Sequence, residues 1–289
     1  MTELNTNTKI LIIGLGVMGG GYAAALTERG YSVYCITKDQ SDVNYAMERG
    51  MIKGGVSYVD EELISSADLV IFAVYPGIFV DWIDKYQHLL KPGAIITDVT
   101  GVKSGIVERV QANLRSDVEF ISAHPMAGRE KSGVEFSNKD VFKGANYIVV
   151  PTDKNTKNAI SICKKLGEEL GFSRISELSI EEHDKMIAFL SQLTHCIAVT
   201  LMNANTESGL EKYTGDSFRD LTRIAKINDL MWSELFLLNK DALLTEMDSF
   251  IEEFKTFRRM LEENDREGMR SKMRSATARR ELFDKPKTN

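Results

Sequence analysis

Short apolar runs alternate with helix-like segments through the first half of the chain. Apolar runs predict strands at residues 10–13, 31–36, 68–74, 94–97, 120–122 and 147–150. The spacing of apolar positions predicts helices at residues 22–29, 79–90, 104–114 and 155–170. Strands that alternate with helices in this way predict an α/β fold with a mostly parallel, doubly wound sheet.

The second half of the chain has a different pattern. From residue 179 there is no proline until Pro286, glycine is sparse, and apolar residues recur at helical spacing. Ser179, followed three residues later by Glu182, is the capping box that starts a helix. We therefore expect two domains, residues 1–175 with the sheet and residues 176–289 all-helical.

A glycine-rich turn joins the first strand to the first helix. The sequence from Gly14 to Gly19 has the spacing Gly-x-Gly-x-x-Gly of a Rossmann-type dinucleotide site. Gly14 permits the turn, Gly16 lets the backbone approach a pyrophosphate, and Gly19 lets the helix pack closely. With the helix-start residues Val17 and Met18, these glycines are the candidate cofactor contacts. The alternative is a purely structural turn.

The end of the second strand bears on the choice of cofactor. An acidic residue about 20 positions beyond the glycines would bind the ribose hydroxyls of NAD. The chain has Thr37 and Lys38 there, and Asp39 comes two positions late. A hydroxyl and a cation suit a 2′-phosphate, which favours NADP over NAD. In the other interpretation Lys38 is solvated and Asp39 turns back to the ribose.

Composition narrows the class of protein. The net charge of −6 argues against general nucleic-acid binding. Cys35, Cys163 and Cys196 are far apart and have no CxxC spacing, which argues against a disulfide framework or a zinc site. No apolar run approaches the roughly 18 residues of a membrane span, and the polar N-terminus has no signal region. We expect a cytoplasmic protein that acts on a small molecule.

Ligands of doubly wound sheets bind beyond the carboxyl ends of the strands. Val74 and Tyr75 follow one strand and are candidate cofactor contacts. His124 follows another, where it would either accept a proton from a substrate hydroxyl or cap a loop. Lys103 would be an anion contact or a surface charge.

Polar residues also interrupt the apolar pattern of the helical half. After His183-Asp184 come Ser191 and His195, which would share a face of a helix, with Asp184 on nearly the same face. This alignment suggests a lined cavity, although a satisfied core histidine is the alternative for His195. No His-x₃-His pair is present, so we assign no metal. Of the two neighbouring arginines, Arg219 and Arg223, we expect one to face solvent and the other to face inward, where its planar guanidinium would suit a substrate carboxylate, unless both belong to a surface ion-pair cluster.

Residues 241–283 form an amphipathic segment with a broad apolar stripe. Such a face needs a partner, which a second subunit would supply. The arginines and lysine between residues 266 and 280 are most simply a solvated face.

Together these motifs resemble the prephenate/arogenate dehydrogenase family. The resemblance covers roughly residues 9–261 and includes the glycine turn, residues 124–128, 183–184, 191–195 and 220–225, with Trp232 and Asn239. It implies oxidative decarboxylation of prephenate or arogenate in tyrosine biosynthesis, and a homodimer built through the helical domain. In it His124 matches the catalytic histidine, Arg223 the carboxylate-binding arginine, and His195, His183 and Trp232 residues of the substrate site.

The chain departs from the family pattern at two places. Gly101 stands where the family segment Asp-x-x-Ser-x-Lys has serine, which leaves open whether Thr100 supplies the hydroxyl to the substrate. Thr37 and Lys38 depart from the acidic residue of NAD-type members. The rival functions are a related two-domain enzyme, such as a β-hydroxyacid dehydrogenase or an imine reductase, and a cofactor-binding sensor without turnover.

Overall fold

The computed structural model describes residues 3–128 and 131–284. Within these residues the strands are β1 Lys9–Ile13, β2 Ser32–Ile36, β3 Gly54–Val56, β4 Leu69–Phe72, β5 Ile95–Asp98, β6 Glu119–Phe120, β7 Ser122–Met126, β8 Asn146–Val150 and β9 Arg174–Glu177. The α-helices are α1 Val17–Glu28, α2 Gln40–Glu48, α3 Glu61–Ser66, α4 Pro76–Tyr86, α5 Ile106–Asn113, α6 Lys157–Leu170, α7 Ile180–Ile187, α8 Thr194–Asn203, α9 Asp216–Thr222, α10 Asp229–Leu238, α11 Lys240–Glu262 and α12 Arg266–Glu281.

Six parallel strands form the main sheet, in the order β3-β2-β1-β4-β5-β6. This is the order of the Rossmann fold, and the predicted α/β fold with a helical C-terminal region is confirmed. The direction of strand progression reverses between β1 and β4, where Ile12 pairs with Ile71. The crevice at the carboxyl ends of these two strands is therefore the expected cofactor site.

A second, three-stranded sheet begins where the chain leaves the main sheet at Ile121. The Ile121 N–H still donates to Ile96 of β5 at 3.0 Å, and β7 then pairs antiparallel with β8, so that His124 lies opposite Ile148. Two expectations are wrong here: His124 lies within a strand rather than in a loop after one, and residues 147–150 do not join the main sheet. The short β9 pairs parallel with β8.

The first helix packs closely against later segments of the chain because it contains three consecutive glycines. A Cβ on Gly20 would lie 2.6 Å from the Ser137 hydroxyl, and one on Gly21 would lie 3.0 Å from the Phe142 ring. The same ring packs edge-on against Tyr22. This close approach holds α1, and so the glycine turn before it, firmly in the core.

A π-turn interrupts the helical run that follows β9. The run begins at the predicted capping box of Ser179 and Glu182, which is confirmed. The π-turn Ala188–Leu193 then separates α7 from α8. Because each π-turn adds a residue to the helical repeat, the single polar face predicted for Asp184 and His195 on a continuous helix is wrong.

The same run, Ile180–Asn203, is long and apolar enough to cross a membrane by length and composition, with a mean hydropathy of 1.4. One such helix is weak evidence for a membrane span, and the expectation of a chain without one stays a prediction. The run buries His183, Asp184 and Gln192 in hydrogen bonds with other parts of the chain.

The chain divides into two compact units, one ending at Lys240 and the other beginning at Asp241. The first contains both sheets and the helices up to α10, so the domain boundary near residue 175 stays a prediction. The second contains most of α11 together with α12, which are linked by an ion pair between Glu253 and Lys272. Several apolar side chains of α11 are exposed in this unit: Leu244, Phe250, Ile251, Phe254 and Leu261.

Candidate active site

The glycine turn at the end of β1 has the geometry of a dinucleotide cradle. Gly14 has a φ of +93°, and a Cβ there would lie 2.6 Å from the Ala73 carbonyl oxygen. A Cβ on Gly19 would lie 2.1 Å from the Gly14 carbonyl oxygen. In contrast, a Cβ on Gly16 would meet no protein atom within 4 Å, so the space beside Gly16 is open. The first turn of α1, Val17 to Gly19, has no acidic side chain, which leaves its N–H groups suited to a phosphate.

The end of β2 lies directly beside this turn. The Leu15 N–H donates to the Thr37 hydroxyl at 3.3 Å, which places Thr37 at the edge of the crevice. Lys38 is exposed, and Asp39 is the N-cap residue of α2 without a capping hydrogen bond from its side chain. Partial burial raises the pKa of Asp42, and the negative charge of Asp39 adds to this. Both a cation and a carboxylate are thus near the position of a cofactor ribose.

The segment after β4 forms the other wall of the crevice. Val74 Cγ1 occupies the space that a side chain at the first glycine of the turn would need. The Tyr75 hydroxyl accepts a hydrogen bond from Asn228 Nδ2 at 3.0 Å, and the Gly77 N–H donates to Glu234 Oε1 at 2.6 Å. Helix α10 is thus tied to the first turn of α4, beside the expected cofactor.

A buried ion pair lies beneath the crevice. The Lys103 ammonium is fully buried and donates to Asp98 Oδ2 at 2.8 Å and to the Ala123 carbonyl at 2.7 Å. Asp98 Oδ1 accepts from the Ser122 hydroxyl at 2.7 Å, which anchors the start of β7 at the end of β5. The Thr100 hydroxyl is buried and donates to Asp98. The substrate contact of Thr100 stays a prediction, and Lys103 is the buried partner of the Asp98 carboxylate rather than a surface charge.

Two histidines and an aspartate form a hydrogen-bonded chain next to this ion pair. His124 Nδ1 lies 2.8 Å from His183 Nε2, and His183 Nδ1 lies 2.6 Å from Asp184 Oδ1. The Asp184 carboxylate also accepts the backbone N–H groups of Lys103 at 3.0 Å and Ser104 at 2.7 Å. Both ring nitrogens of buried His183 are thus engaged within the protein, and its contact with the substrate stays a prediction.

The electrostatic environment keeps both imidazoles uncharged. Burial lowers the pKa of His124 well below its usual value, and the nearby His183 and Lys103 lower it further. Burial also lowers the pKa of His183, against the opposing effect of Asp184. For Asp184, the hydrogen bonds from His183 and Ser104 outweigh burial and lower the pKa. At neutral pH the hydrogen-bonded chain therefore consists of the Asp184 carboxylate followed by the neutral imidazoles of His183 and His124.

Gly101 faces the outer nitrogen of His124. A Cβ on Gly101 would lie 4.0 Å from His124 Nε2 and 3.5 Å from the Leu235 side chain. Leu235 belongs to α10, and its carbonyl accepts from the buried Gln192 at 2.9 Å. Asn239 in turn donates to Gln192 Oε1 at 2.7 Å. These amides attach α10 to the π-turn and bring it against the histidine.

One turn earlier on α10, Trp232 stacks on His195. Their ring centroids are 3.7 Å apart, and the planes meet at 30°. His195 is half-buried and its Nδ1–H donates to the Ser191 carbonyl at 2.8 Å. The structure thus brings together two residues that were predicted separately for the substrate site.

Neither of the two arginines is buried. Arg223 is exposed and begins a 3₁₀ turn, Arg223–Ala225, that lies against α8. Arg219 is exposed and pairs with Asp216 at 2.9 Å. The expectation that one arginine faces inward is wrong, although the 3₁₀ turn that begins at Arg223 packs against α8, the helix that carries His195.

Comparison with known proteins decides the family. Residues 22–175 match the model of the nucleotide-binding domain of prephenate dehydrogenase, and residues 179–275 match its dimerization domain. The chain belongs to the prephenate dehydrogenase family. It is an oxidoreductase of the prephenate/arogenate dehydrogenase type, and its cofactor is a nicotinamide dinucleotide.

The relatives agree over most of the chain. It is 30% identical to prephenate dehydrogenase of Bacillus subtilis over 267 residues, which cover 90% of this chain and 72% of the relative. It is 31% identical to cyclohexadienyl dehydrogenase of Zymomonas mobilis over 265 residues, covering 89% of each. The crystal structure of prephenate dehydrogenase from A. aeolicus, in complex with hydroxyphenyl propionate and NAD⁺, superposes with a TM-score of 0.88 at 28% identity, covering 96% of this chain and 98% of that one.

Sequence reasoning assigned no role to the residues that hold the site together, although the resemblance includes Gln192 and Asn239. Gln192 and Asn239 are buried amides, and Glu234 and Asn228 link α10 to α4. The one available signal was an amide side chain on an otherwise apolar helix, which indicates a buried hydrogen bond but does not identify the hydrogen-bond partner. Prephenate dehydrogenase motifs point to the neighbouring histidines instead.

Proposed function

We propose that the chain oxidises and decarboxylates prephenate or arogenate with His124 as the proton acceptor. The observation that carries this proposal is the position of His124 Nε2, which faces Gly101 at the carboxyl end of β5, the edge where Rossmann folds bind their ligands. A neutral imidazole in such a crevice is suited to accept a hydroxyl proton.

The reaction then needs few groups from the protein. When bound, the nicotinamide cofactor supplies the hydride acceptor. His124 Nε2 accepts the proton of the ring hydroxyl as its carbon loses hydride and the carbonyl forms. The bond to the ring carboxylate breaks, CO₂ leaves, and the electron pair of that bond enters the ring, which becomes aromatic. The former carbonyl oxygen then takes back a proton to give a phenol. Gly14, Gly16, Val17, Met18 and Gly19, with Val74 and Tyr75, would hold the cofactor.

Substrate binding is assigned to the helical part of the site. We propose that Arg223 binds a substrate carboxylate, because a guanidinium offers two parallel donors to a planar anion. His195, ordered by its bond to Ser191 and by stacking on Trp232, would add a second contact. The orientation these residues impose would supply much of the rate.

We infer a preference for NADP over NAD. The support is the hydroxyl of Thr37 beside the glycine turn and the exposed ammonium of Lys38 next to it. The carboxylate of Asp39 opposes this preference, since it would repel a 2′-phosphate.

We further propose a cytoplasmic homodimer, with a substrate-binding and dimerization domain that begins near residue 176. The dimerization-domain match at residues 179–275 supports the assembly. The exposed apolar side chains of α11 are a suitable surface for it.

The first experiment is a steady-state assay of the purified protein by the absorbance of reduced nicotinamide. Prephenate and arogenate are each combined with NAD⁺ and NADP⁺, and we expect turnover with at least one substrate and higher kcat/KM with NADP⁺. A flat trace in all four pairings, from protein shown to bind NADPH, would contradict the proposed reaction and favour a related dehydrogenase or a sensor.

A further inference from the structure

We propose that Asp184 and His183 are positioning residues that fix the proton of His124 on Nδ1 and leave Nε2 bare to receive the substrate proton. This role rests on the proposed function for its catalytic consequence. The arrangement of the hydrogen bonds can be tested without it.

The direction of the hydrogen bonds follows from the first acceptor. The backbone N–H groups of Lys103 and Ser104 hold the Asp184 carboxylate in place. Because an ionised carboxylate only accepts, the 2.6 Å contact requires His183 Nδ1 to carry the proton. The other nitrogen of a neutral His183, Nε2, is then an acceptor.

The same reasoning passes one step further along the chain. His124 Nδ1 lies 2.8 Å from His183 Nε2 and must donate its proton to it. The proton of neutral His124 is thereby placed on Nδ1, and the lone pair of Nε2 faces Gly101 and the crevice. Without this chain, a neutral histidine would divide between its two tautomers, only one of which can act as a base here.

The charged groups around the histidines are consistent with this assignment. Lys103 and Asp98 form a buried ion pair, and Asp184 lies at the far end of the hydrogen-bonded chain from His124. No carboxylate within the described residues hydrogen-bonds His124 directly, so an imidazolium there would have little compensation. His183 consequently orients His124 without charging it.

The critical variant is Asp184→Asn, which preserves the shape of the side chain and replaces one acceptor oxygen with an NH₂ donor. The Ser104 N–H, at 2.7 Å, and the Lys103 N–H, at 3.3 Å, both reach Oδ2 and should retain the carbonyl oxygen of the new amide there, at the cost of the 3.0 Å bond from Lys103 to Oδ1. The NH₂ then replaces Oδ1 and faces His183. His183 Nδ1 must then accept, its proton moves to Nε2, and His124 is forced to carry its own proton on Nε2. We expect kcat to fall at least about 10²-fold, as for a histidine held in the wrong tautomer. KM should change by less than about threefold, because the substrate contacts remain.

Histidine NMR reads the tautomer directly. The chain has four histidines, so nitrogen-15 labelled histidine gives few signals, and each can be assigned by single substitution. In the wild type we expect His124 protonated on Nδ1, and in Asp184→Asn protonated on Nε2. A wild-type His124 protonated on Nε2 would overturn the proposal, whether or not the protein turns over prephenate.

Substitution of His183 separates positioning from packing. In His183→Gln the amide oxygen can reach the place of Nε2 and accept from His124, whereas His183→Leu fills space without an acceptor. We expect the glutamine variant to keep at least about tenfold more kcat than the leucine variant, since only leucine leaves the donor unpaired. His88→Leu, at an exposed histidine, is the matched control and should keep full activity. Equal activity of His183→Gln and His183→Leu, with both folded, would reject a positioning role.

The outcomes distinguish the two proposals. If no substrate pairing gives turnover but the NMR pattern is as expected, the proposed reaction fails and the orienting chain stands. If turnover is found and Asp184→Asn inverts the tautomer without lowering kcat, His124 is not the base and the positioning role has no catalytic meaning.

Discussion

At the residue scale, His124 is a half-buried imidazole whose close charged neighbour is the cation Lys103. Both burial and that cation disfavour the imidazolium, so the pKa of His124 lies well below its ordinary value near 6.5. A base must be unprotonated, and lowering its pKa extends the active range to lower pH. We expect kcat/KM to stay level as pH falls through 6.5 and to decline only below it. A pH profile with its acid limb centred at or above 6.5 would contradict this environment for the base.

Replacement of His124 by asparagine tests the same residue by removing the base. Asparagine can still donate to His183 but cannot take a proton. We expect kcat to fall by about 10²-fold or more, the usual scale for loss of a general base. Steady-state kinetics measure this, with the melting temperature as a check on folding. Full turnover in a folded His124→Asn variant would show that His124 is not the base.

Thr37 gives a prediction for the cofactor. Thr37→Asp keeps an acceptor for the Leu15 N–H and adds a carboxylate beside the expected ribose. Like charges close together at a protein surface repel by about 1–4 kcal/mol, so the preference should move toward NAD⁺ by about tenfold or more. The measurement is the ratio of kcat/KM for NADP⁺ and NAD⁺. The control is Lys38→Ala, which should lower kcat/KM for NADP⁺ and leave the value for NAD⁺ unchanged if the 2′-phosphate is responsible for the preference.

At the scale of elements, the glycine turn allows binding and folding to be separated. Gly16→Ala places a Cβ in open space, so the melting temperature should hold while KM for the cofactor rises. Gly19→Ala drives a Cβ to within 2.1 Å of the Gly14 carbonyl, and overpacking of this kind costs about 1–3 kcal/mol. Thermal unfolding and cofactor titration of the two variants are compared. Equal loss of stability in both would show that the space beside Gly16 is not reserved for a ligand.

The elements also show why sequence reasoning succeeded in one place and failed in another. The turn at Gly14 is fixed by local conformation, and local patterns reveal it. The π-turn at residues 188–193 depends on Gln192 bonding to α10, a contact 43 residues away in the chain. Lys103 has the composition of a surface residue, and its burial depends on Asp98 and on the carbonyl of a later strand. Long-range pairing of polar groups, rather than periodicity, decided these positions.

At the scale of the whole molecule, helix α10 connects the proposed base, His124, with the proposed substrate contact, His195, within the first unit. Its residue Leu235 lies against Gly101, Trp232 stacks on His195, and Glu234 holds the first turn of α4. One helix therefore bridges the strands that bear the base and the helix that bears a proposed substrate contact. This explains how residues more than 100 positions apart come together in the structure. It also explains why sequence motifs identify individual residues but not the contacts between them.

Assembly is the last prediction at this scale. In the second unit Phe254 is 67% exposed and Leu261 63% exposed, on a helix that belongs to the dimerization-domain match. Apolar side chains grouped on one face favour burial against a second copy, and we expect a dimer of twice the 32.4 kDa chain mass by light scattering. Phe254→Glu should shift the protein to monomer, because a buried unpaired carboxylate is costly. Ser249→Glu adds the same charge on the opposite face of α11 and should leave the dimer intact. A wild-type monomer at micromolar concentration, or equal dissociation of both variants, would mean that this face of α11 is not the contact.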